Sequence, residues 1–78
     1  MTIKEIRARR LAAGVPAALL AARSQINRSR FSAVERGYIQ PTDDELRRLG
    51  SVLEQLIHAK AAVEQIAASV GWPTGGRG

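Results

Sequence analysis

The chain has no cysteine and no long apolar run. Without cysteine there is no disulfide framework, no thiol nucleophile and no zinc site built on thiolates. No stretch approaches the roughly 20 apolar residues that a transmembrane helix needs. The segment from Met1 to Glu5 carries an early acid and no continuous apolar region, so we expect no signal peptide. These absences favour a cytoplasmic location.

Residues suited to metal binding or acid–base chemistry are also scarce. His58 is the only histidine, and the sequence places no second histidine or cysteine near it. The densest acidic group, Asp43, Asp44 and Glu45, follows Thr42 at a predicted helix start, where carboxylates cap the helix and interact favourably with its dipole. We therefore predict no catalytic residue, no metal and no cofactor, and we do not expect an enzyme.

Negative charge is in the minority. The 78 residues include 12 Lys and Arg against 7 Asp and Glu, which gives a formal net charge of +5. The excess lies in residues 1–50, where ten cations, nine of them arginine, face five acids. The forked guanidinium suits phosphate and guanine, so this part of the chain is expected to contact nucleic acid. A solvated basic surface is the alternative.

Apolar residues recur at helical spacing, and no alternating strand pattern occurs. Gly14 and Gly37 are positioned to end helices, Pro16 to start one, and Asn27 and Thr42 to cap two more. These signals predict an all-α fold with helices over residues 3–13, 16–24, 28–36 and 43–70.

The end of the fourth helix has the weakest signal. No glycine or proline follows Leu53, and apolar residues continue at spacings of three, four and seven as far as Val70, interrupted by Lys60. One long helix, bent near Gly50, is favoured over a break within residues 54–57.

The segment Leu20–Gly37 is the most informative, because two short helices meet there at a tight turn. Ile26 in the turn and Phe31 and Val34 in the third helix are spaced to pack together against the scaffold. The basic and polar helix start at residues 28–30 suits the major groove of DNA.

Over about residues 3–53, the chain resembles the phage-repressor helix-turn-helix family, of the Cro/C1 or XRE type. The residues that carry the resemblance are Arg10, Leu20, Ala21, Ile26, Phe31, Val34, Glu35, Arg36, Gly37, Pro41, Leu46, Leu49 and Leu53. The resemblance implies a lambda-repressor-like bundle that binds double-stranded DNA and regulates transcription. We expect a bacterial or phage-encoded, nucleoid-associated repressor that blocks transcription sterically.

The resemblance also implies roles for individual residues. Base contacts are expected from the third helix, at Arg28, Ser29, Ser32 and Ala33, with Arg30 beside them. Phosphate contacts are expected from Arg23, Arg36, Tyr38, Gln40 and the backbone of Thr42. For Arg28 the alternatives are guanine or phosphate, and for Tyr38 the alternative is packing of its ring within the domain. Arg10 and Glu35 are expected to form a buried ion pair, with two independent surface charges as the alternative.

Three positions depart from that family. Pro16 and Ala17 stand where the family usually has serine and glutamine, which cap the second helix and clamp a phosphate. Gln25 replaces the usual glycine in the turn, so either the residue is left-handed, at roughly 1–2 kcal/mol, or the turn has another shape. Residues 54–57 continue as helix where the family has a turn.

We divide the chain into a DNA-binding core at residues 1–53, a C-terminal helix at 54–73 and a disordered tail at 74–78. The apolar stripe on this last helix has no evident cover in the chain, and folding back on the first helix is the alternative to an intermolecular role. We predict a homodimer, and hence a palindromic operator, built on Leu56, Ala59, Val63, Ile66 and Val70. The rival functions are an antitoxin whose stripe covers a protein partner and a protein-interaction module without DNA binding. Membrane binding is not expected, because the polar face of this helix is not basic.

Overall fold

The computed structural model describes residues 1–69, with side chains up to Ile66. All regular structure in that range is helical, which confirms the predicted all-α class. The four elements are α1 (Ile3–Ala13), α2 (Ala17–Arg23), α3 (Arg28–Glu35) and α4 (Asp43–Ser69). The predicted interface residue Val70 and the predicted tail at 74–78 lie outside the described residues.

Helix α1 has the bounds that its capping signals predict. Thr2 Oγ1 accepts a hydrogen bond from the Glu5 backbone N–H (3.2 Å), and Glu5 Oε1 accepts one from the Thr2 backbone N–H (2.7 Å). The hydrogen bond from the Thr2 backbone N–H is the main cause that lowers the pKa of the Glu5 carboxyl. Gly14 ends the helix at a φ of 71°, which glycine adopts without the steric cost that a Cβ atom would bring.

Helices α2 and α3 are short, and each starts at a defined cap. Pro16 was predicted as the first residue of α2, but it is the N-cap, one position earlier. Its backbone is extended, and its carbonyl accepts the first helical hydrogen bond, from Leu20 N (3.1 Å). Asn27 caps α3 as predicted, with Oδ1 accepting from the backbone N–H groups of Ser29 (2.8 Å) and Arg30 (3.3 Å).

All four helices contribute to one hydrophobic core. Its largest fully buried apolar side chains are Ile6 from α1, Leu20 from α2, Phe31 from α3, and Leu49 and Leu53 from α4. Burying such a side chain contributes about 1.5–3 kcal/mol. The core thereby holds the short helix α3, which could not be stable by itself at its length of 8 residues.

Helix α4 is continuous through residues 54–57, as favoured from the sequence. Leu56 and Ile57 pack, partly buried, against the core. Lys60 Nζ then donates a hydrogen bond to the Ala13 carbonyl (2.6 Å) at the end of α1, and Arg9 and Glu54 form an ion pair between the same two helices. The expectation that the stripe has no cover within the chain is therefore wrong for Leu56 and Ile57, which the core covers in part.

From His58 onward the described side chains are exposed. Residues 58–66 all fall in this class, among them the large apolar Val63 and Ile66. In the described part of the chain, no helical segment has both the length and the hydrophobicity required to cross a bilayer. The last turns of α4 therefore present an apolar strip on the protein surface.

Candidate nucleic-acid interface

Helix α3 has a core side and a solvent side. Phe31 and Val34, three residues apart, are 0% and 2% exposed. Arg28 and Ser29 are exposed on the other side, and Ser32 and Ala33 are half-buried there. Residues separated by three or four positions share a helix face, so the structure brings these four predicted base-contacting residues together on one side of α3.

A buried ion pair ties α3 to α1. Arg10 Nε lies 2.8 Å from Glu35 Oε2 and Arg10 NH2 lies 2.9 Å from Glu35 Oε1, so the pair is bidentate. The two side chains are only 11% and 8% exposed. Arg10 NH1 also donates to the Val15 carbonyl (3.0 Å) in the loop between α1 and α2. The pair expected between Arg10 and Glu35 is thus present, and it orients the end of α3.

A second bidentate pair joins Arg30 of α3 to the start of α4. Arg30 Nε and NH2 donate to Glu45 Oε2 (2.6 Å) and Oε1 (2.8 Å) at the start of α4. The same carboxylate accepts from the Thr42 backbone N–H (2.9 Å) in the α4 capping box. The guanidinium of Arg30 is thus engaged with Glu45 through two of its nitrogens. Its expected place beside the base-contacting residues stays a prediction.

The Arg30–Glu45 pair predicts a pH-dependent stability. The hydrogen bonds from Arg30, followed by the Thr42 backbone N–H, lower the pKa of the Glu45 carboxyl from 4.5 to about 2, and the same pairing raises the pKa of Arg30. A carboxyl whose pKa is lower in the folded state stabilises that state above the unfolded pKa. This stabilisation is lost as the pH falls from 4.5 towards 2.

We expect Glu45→Gln to reduce the free energy of unfolding clearly at pH 7 and much less at pH 2.5. Urea denaturation of both proteins at the two pH values measures the difference. Glu64→Gln is the matched control, because Glu64 is an exposed carboxylate on the same helix. An equal effect of Glu45→Gln at both pH values would contradict the assigned role of the carboxylate.

The predicted phosphate contacts have different environments. Arg23, Arg36 and Gln40 are exposed. The side chain of Tyr38 is also on the surface, at 76% exposure, so the alternative that its ring packs within the domain does not hold. The backbone N–H of Thr42 already donates to Glu45. The expected phosphate contact from this backbone group therefore needs correction, since the N–H is satisfied by the capping box.

The turn between α2 and α3 depends on a residue that sequence reasoning missed. Gln25 has a φ of 59°, in the left-handed region that glycine usually fills. Arg48 NH1, from α4, donates to the carbonyl of Ser24 (2.8 Å) and lies 3.5 Å from the carbonyl of Gln25. Arg48 thereby holds the strained turn from outside. The one signal in the sequence was Gln25 in place of the usual glycine, because a left-handed glutamine needs support from another part of the fold.

Comparison with known protein families agrees with this geometry. A sequence model of a helix-turn-helix family matches residues 6–55, which is 50 of the 78 residues. The matched range contains most of α1, all of α2 and α3, and α4 as far as Gln55. No curated protein and no solved structure matches the chain.

Proposed function

The chain belongs to the Cro/C1-type, or XRE, helix-turn-helix family, and from this premise we propose that it is a sequence-specific transcriptional regulator whose helix α3 reads the major groove of DNA. One observation carries the proposal. Arg28, Ser29, Ser32 and Ala33 lie on the solvent side of a helix whose other side is fixed by Phe31 in the core. A rigid helix with polar and basic side chains facing outward is the geometry that base readout requires.

We assign different tasks to the two exposed arginines at the ends of α3. Arg28, at its first turn, binds guanine O6 and N7 with both arms of its guanidinium. Arg36, at its C-terminal end, binds a backbone phosphate, together with Arg23, Tyr38 and Gln40. Phosphate contacts fix the register of the protein on the duplex, and base contacts select the sequence.

The test compares Arg28→Ala with Arg36→Ala. Both residues are exposed, so neither substitution should affect folding. Arg28→Ala should remove about 1–3 kcal/mol of discrimination at one base pair. Arg36→Ala should weaken binding to all sequences alike and reduce the slope of log affinity against log salt by about one. Selection of bound duplexes from a random pool, followed by fluorescence anisotropy, measures both effects. Equal losses on every sequence for both variants would show that Arg28 contacts phosphate instead.

The wild-type protein tests the function itself. Gel shifts with genomic fragments at two salt concentrations should show binding that weakens steeply as salt increases, because contacts to phosphate release counterions. A chain that uses this fold only for protein interaction would bind no fragment at either salt concentration. That outcome would refute DNA regulation by this protein.

We also propose that the protein represses transcription as a homodimer on a palindromic operator. The exposed Val63 and Ile66 near the end of α4 support this, since a second copy of the helix would cover them. The predicted neighbour Ala59 is exposed and Leu56 is half-buried on the same stripe. Two-fold symmetry then sets the half-sites about 34 Å apart, or a multiple of that distance.

Analytical ultracentrifugation at micromolar concentration should give a mass near twice the 8.4 kDa of the chain. A monomer of 8.4 kDa that binds a single half-site would contradict the homodimer. An unrelated protein that co-purifies on this surface would favour the antitoxin function instead.

A further inference from the structure

An open, basic pocket lies beside the turn between α2 and α3. It has a volume of about 280 Å³, and its walls are residues 23–25 on one side and α4, between Arg47 and Val52, on the other. Three arginines line it: Arg23, Arg47 and Arg48. The pocket is separate from the base-facing residues of α3. Arg23 is among the phosphate contacts proposed above and Arg48 supports the turn, but neither role accounts for the cluster of three arginines.

Positive charge in this pocket exceeds the nearby negative charge. Asp44 is the acid that pairs with both α4 arginines: its Oδ2 lies 2.9 Å from Arg48 Nε, and its Oδ1 pairs with Arg47 NH2. One carboxylate therefore serves two guanidinium groups, and Arg23 adds a third. Arg48 has a further structural task, since its NH1 binds the carbonyls of the turn. Arg23 and Arg47 are both exposed and are thus able to reorient towards a ligand.

We propose that this pocket binds a phosphate group, held by Arg23 and Arg47. Two sources share this chemistry: a phosphate of the DNA backbone, or a small phosphorylated molecule that acts as an effector. The DNA source rests on the function proposed above. It would replace the phosphate clamp that the family usually builds at the start of α2, where this chain has Pro16 and Ala17.

Inorganic phosphate is the probe for the pocket. In an NMR titration at constant ionic strength, the backbone amides of residues 23–25 and 47–51 should shift and saturate. Arg23→Gln and Arg47→Gln should each weaken phosphate binding about 2- to 5-fold, the effect of losing one solvent-exposed ion pair. Arg7→Gln, an exposed arginine of α1 outside the pocket, should leave the affinity unchanged. Shifts that do not saturate, or that spread evenly over all arginines, would overturn the site.

Asp44→Asn gives a test with the opposite sign. Asp44 competes with the phosphate for Arg47, so its neutralisation should raise the phosphate affinity. A lower affinity would contradict the competition on which the geometry depends.

DNA binding by the same variants identifies the source of the phosphate. Arg47→Gln is the decisive variant, because Arg23 is already among the proposed phosphate contacts. If a backbone phosphate fills the pocket, Arg47→Gln weakens binding to every duplex, and inorganic phosphate competes with DNA at constant ionic strength. If a small molecule fills it, Arg47→Gln binds DNA as the wild type does. Saturable phosphate binding by a wild-type protein that binds no DNA would support the pocket and refute the proposed function. Normal DNA binding without saturable phosphate binding would refute the pocket and support the proposed function.

Discussion

Replacing Glu35 with alanine should lower the free energy of unfolding by roughly 3–5 kcal/mol. The substitution leaves the guanidinium of Arg10, only 11% exposed, without its carboxylate in the interior. A domain of this size has a total stability on the order of 5–10 kcal/mol. The loss is therefore a large share of the total, and urea denaturation should show a midpoint shifted to much lower concentration.

The matched control removes an exposed carboxylate that also pairs with α1. Glu54 and its partner Arg9 are about half exposed, and such a pair contributes only about 0–1 kcal/mol. Glu54→Ala should therefore have little effect. If Glu35→Ala were no worse than Glu54→Ala, then Arg10 would have to escape into solvent, and the pair would not fix α3.

A double variant tests why the loss is large. Arg10→Met combined with Glu35→Leu removes both charges together and leaves apolar side chains of similar length. Replacing a buried pair in this way is often neutral, so most of the stability should return. A double variant as unstable as Glu35→Ala would locate the effect in lost packing or in the Arg10 contact with the Val15 carbonyl.

The helix starts could be predicted from the sequence because capping is local. Thr2 and Glu5, or Thr42 and Glu45, are three residues apart, and their reciprocal hydrogen bonds depend on little beyond that spacing. Asn27 is likewise sufficient to start α3. The pairing of Arg10 with Glu35 spans 25 residues, and only the resemblance to a known family made it predictable.

The contacts that the sequence did not predict join distant parts of the chain. Arg30 pairs with Glu45 because the rotation of α3 directs it towards α4, and the sequence does not specify how the two helices are oriented. Lys60 reaches the end of α1 across 47 residues. This contact lies three residues beyond Ile57, which still packs against the core. Arg48 supports the turn at Gln25 in the same way. Such contacts depend on how the helices pack.

The predicted homodimer gives the largest expected effect on DNA binding. Val63→Glu places a charge on the exposed apolar strip of α4, and Val63 is 65% exposed, so folding of the monomer should be unaffected. If the strip joins two copies, this charge would have to be buried without a partner, and the dimer should dissociate. Loss of simultaneous binding to two half-sites lowers the affinity for the full operator by about 10²- to 10⁴-fold.

Affinity for an isolated half-site should not change, because α3 is intact in Val63→Glu. Ala61→Glu is the matched control: it adds the same charge two positions away, which is on the opposite side of the helix. Fluorescence anisotropy with full and half operators, together with sedimentation, measures all three proteins. Dissociation by Ala61→Glu as well would indicate an effect of net charge instead of a specific strip.

Changing the DNA instead of the protein tests the same geometry without any substitution. An insertion of about five base pairs between the half-sites rotates one of them to the other side of the duplex, since a helical turn is about 10 base pairs. Two α3 helices related by a rigid two-fold axis then cannot enter both major grooves. The wild-type affinity for this operator should fall to that of Val63→Glu on the unmodified one, whereas an insertion of a full turn should restore part of it. Equal wild-type affinity for all three spacings would mean that the half-sites are bound independently, and the strip on α4 would then have no part in reading the operator.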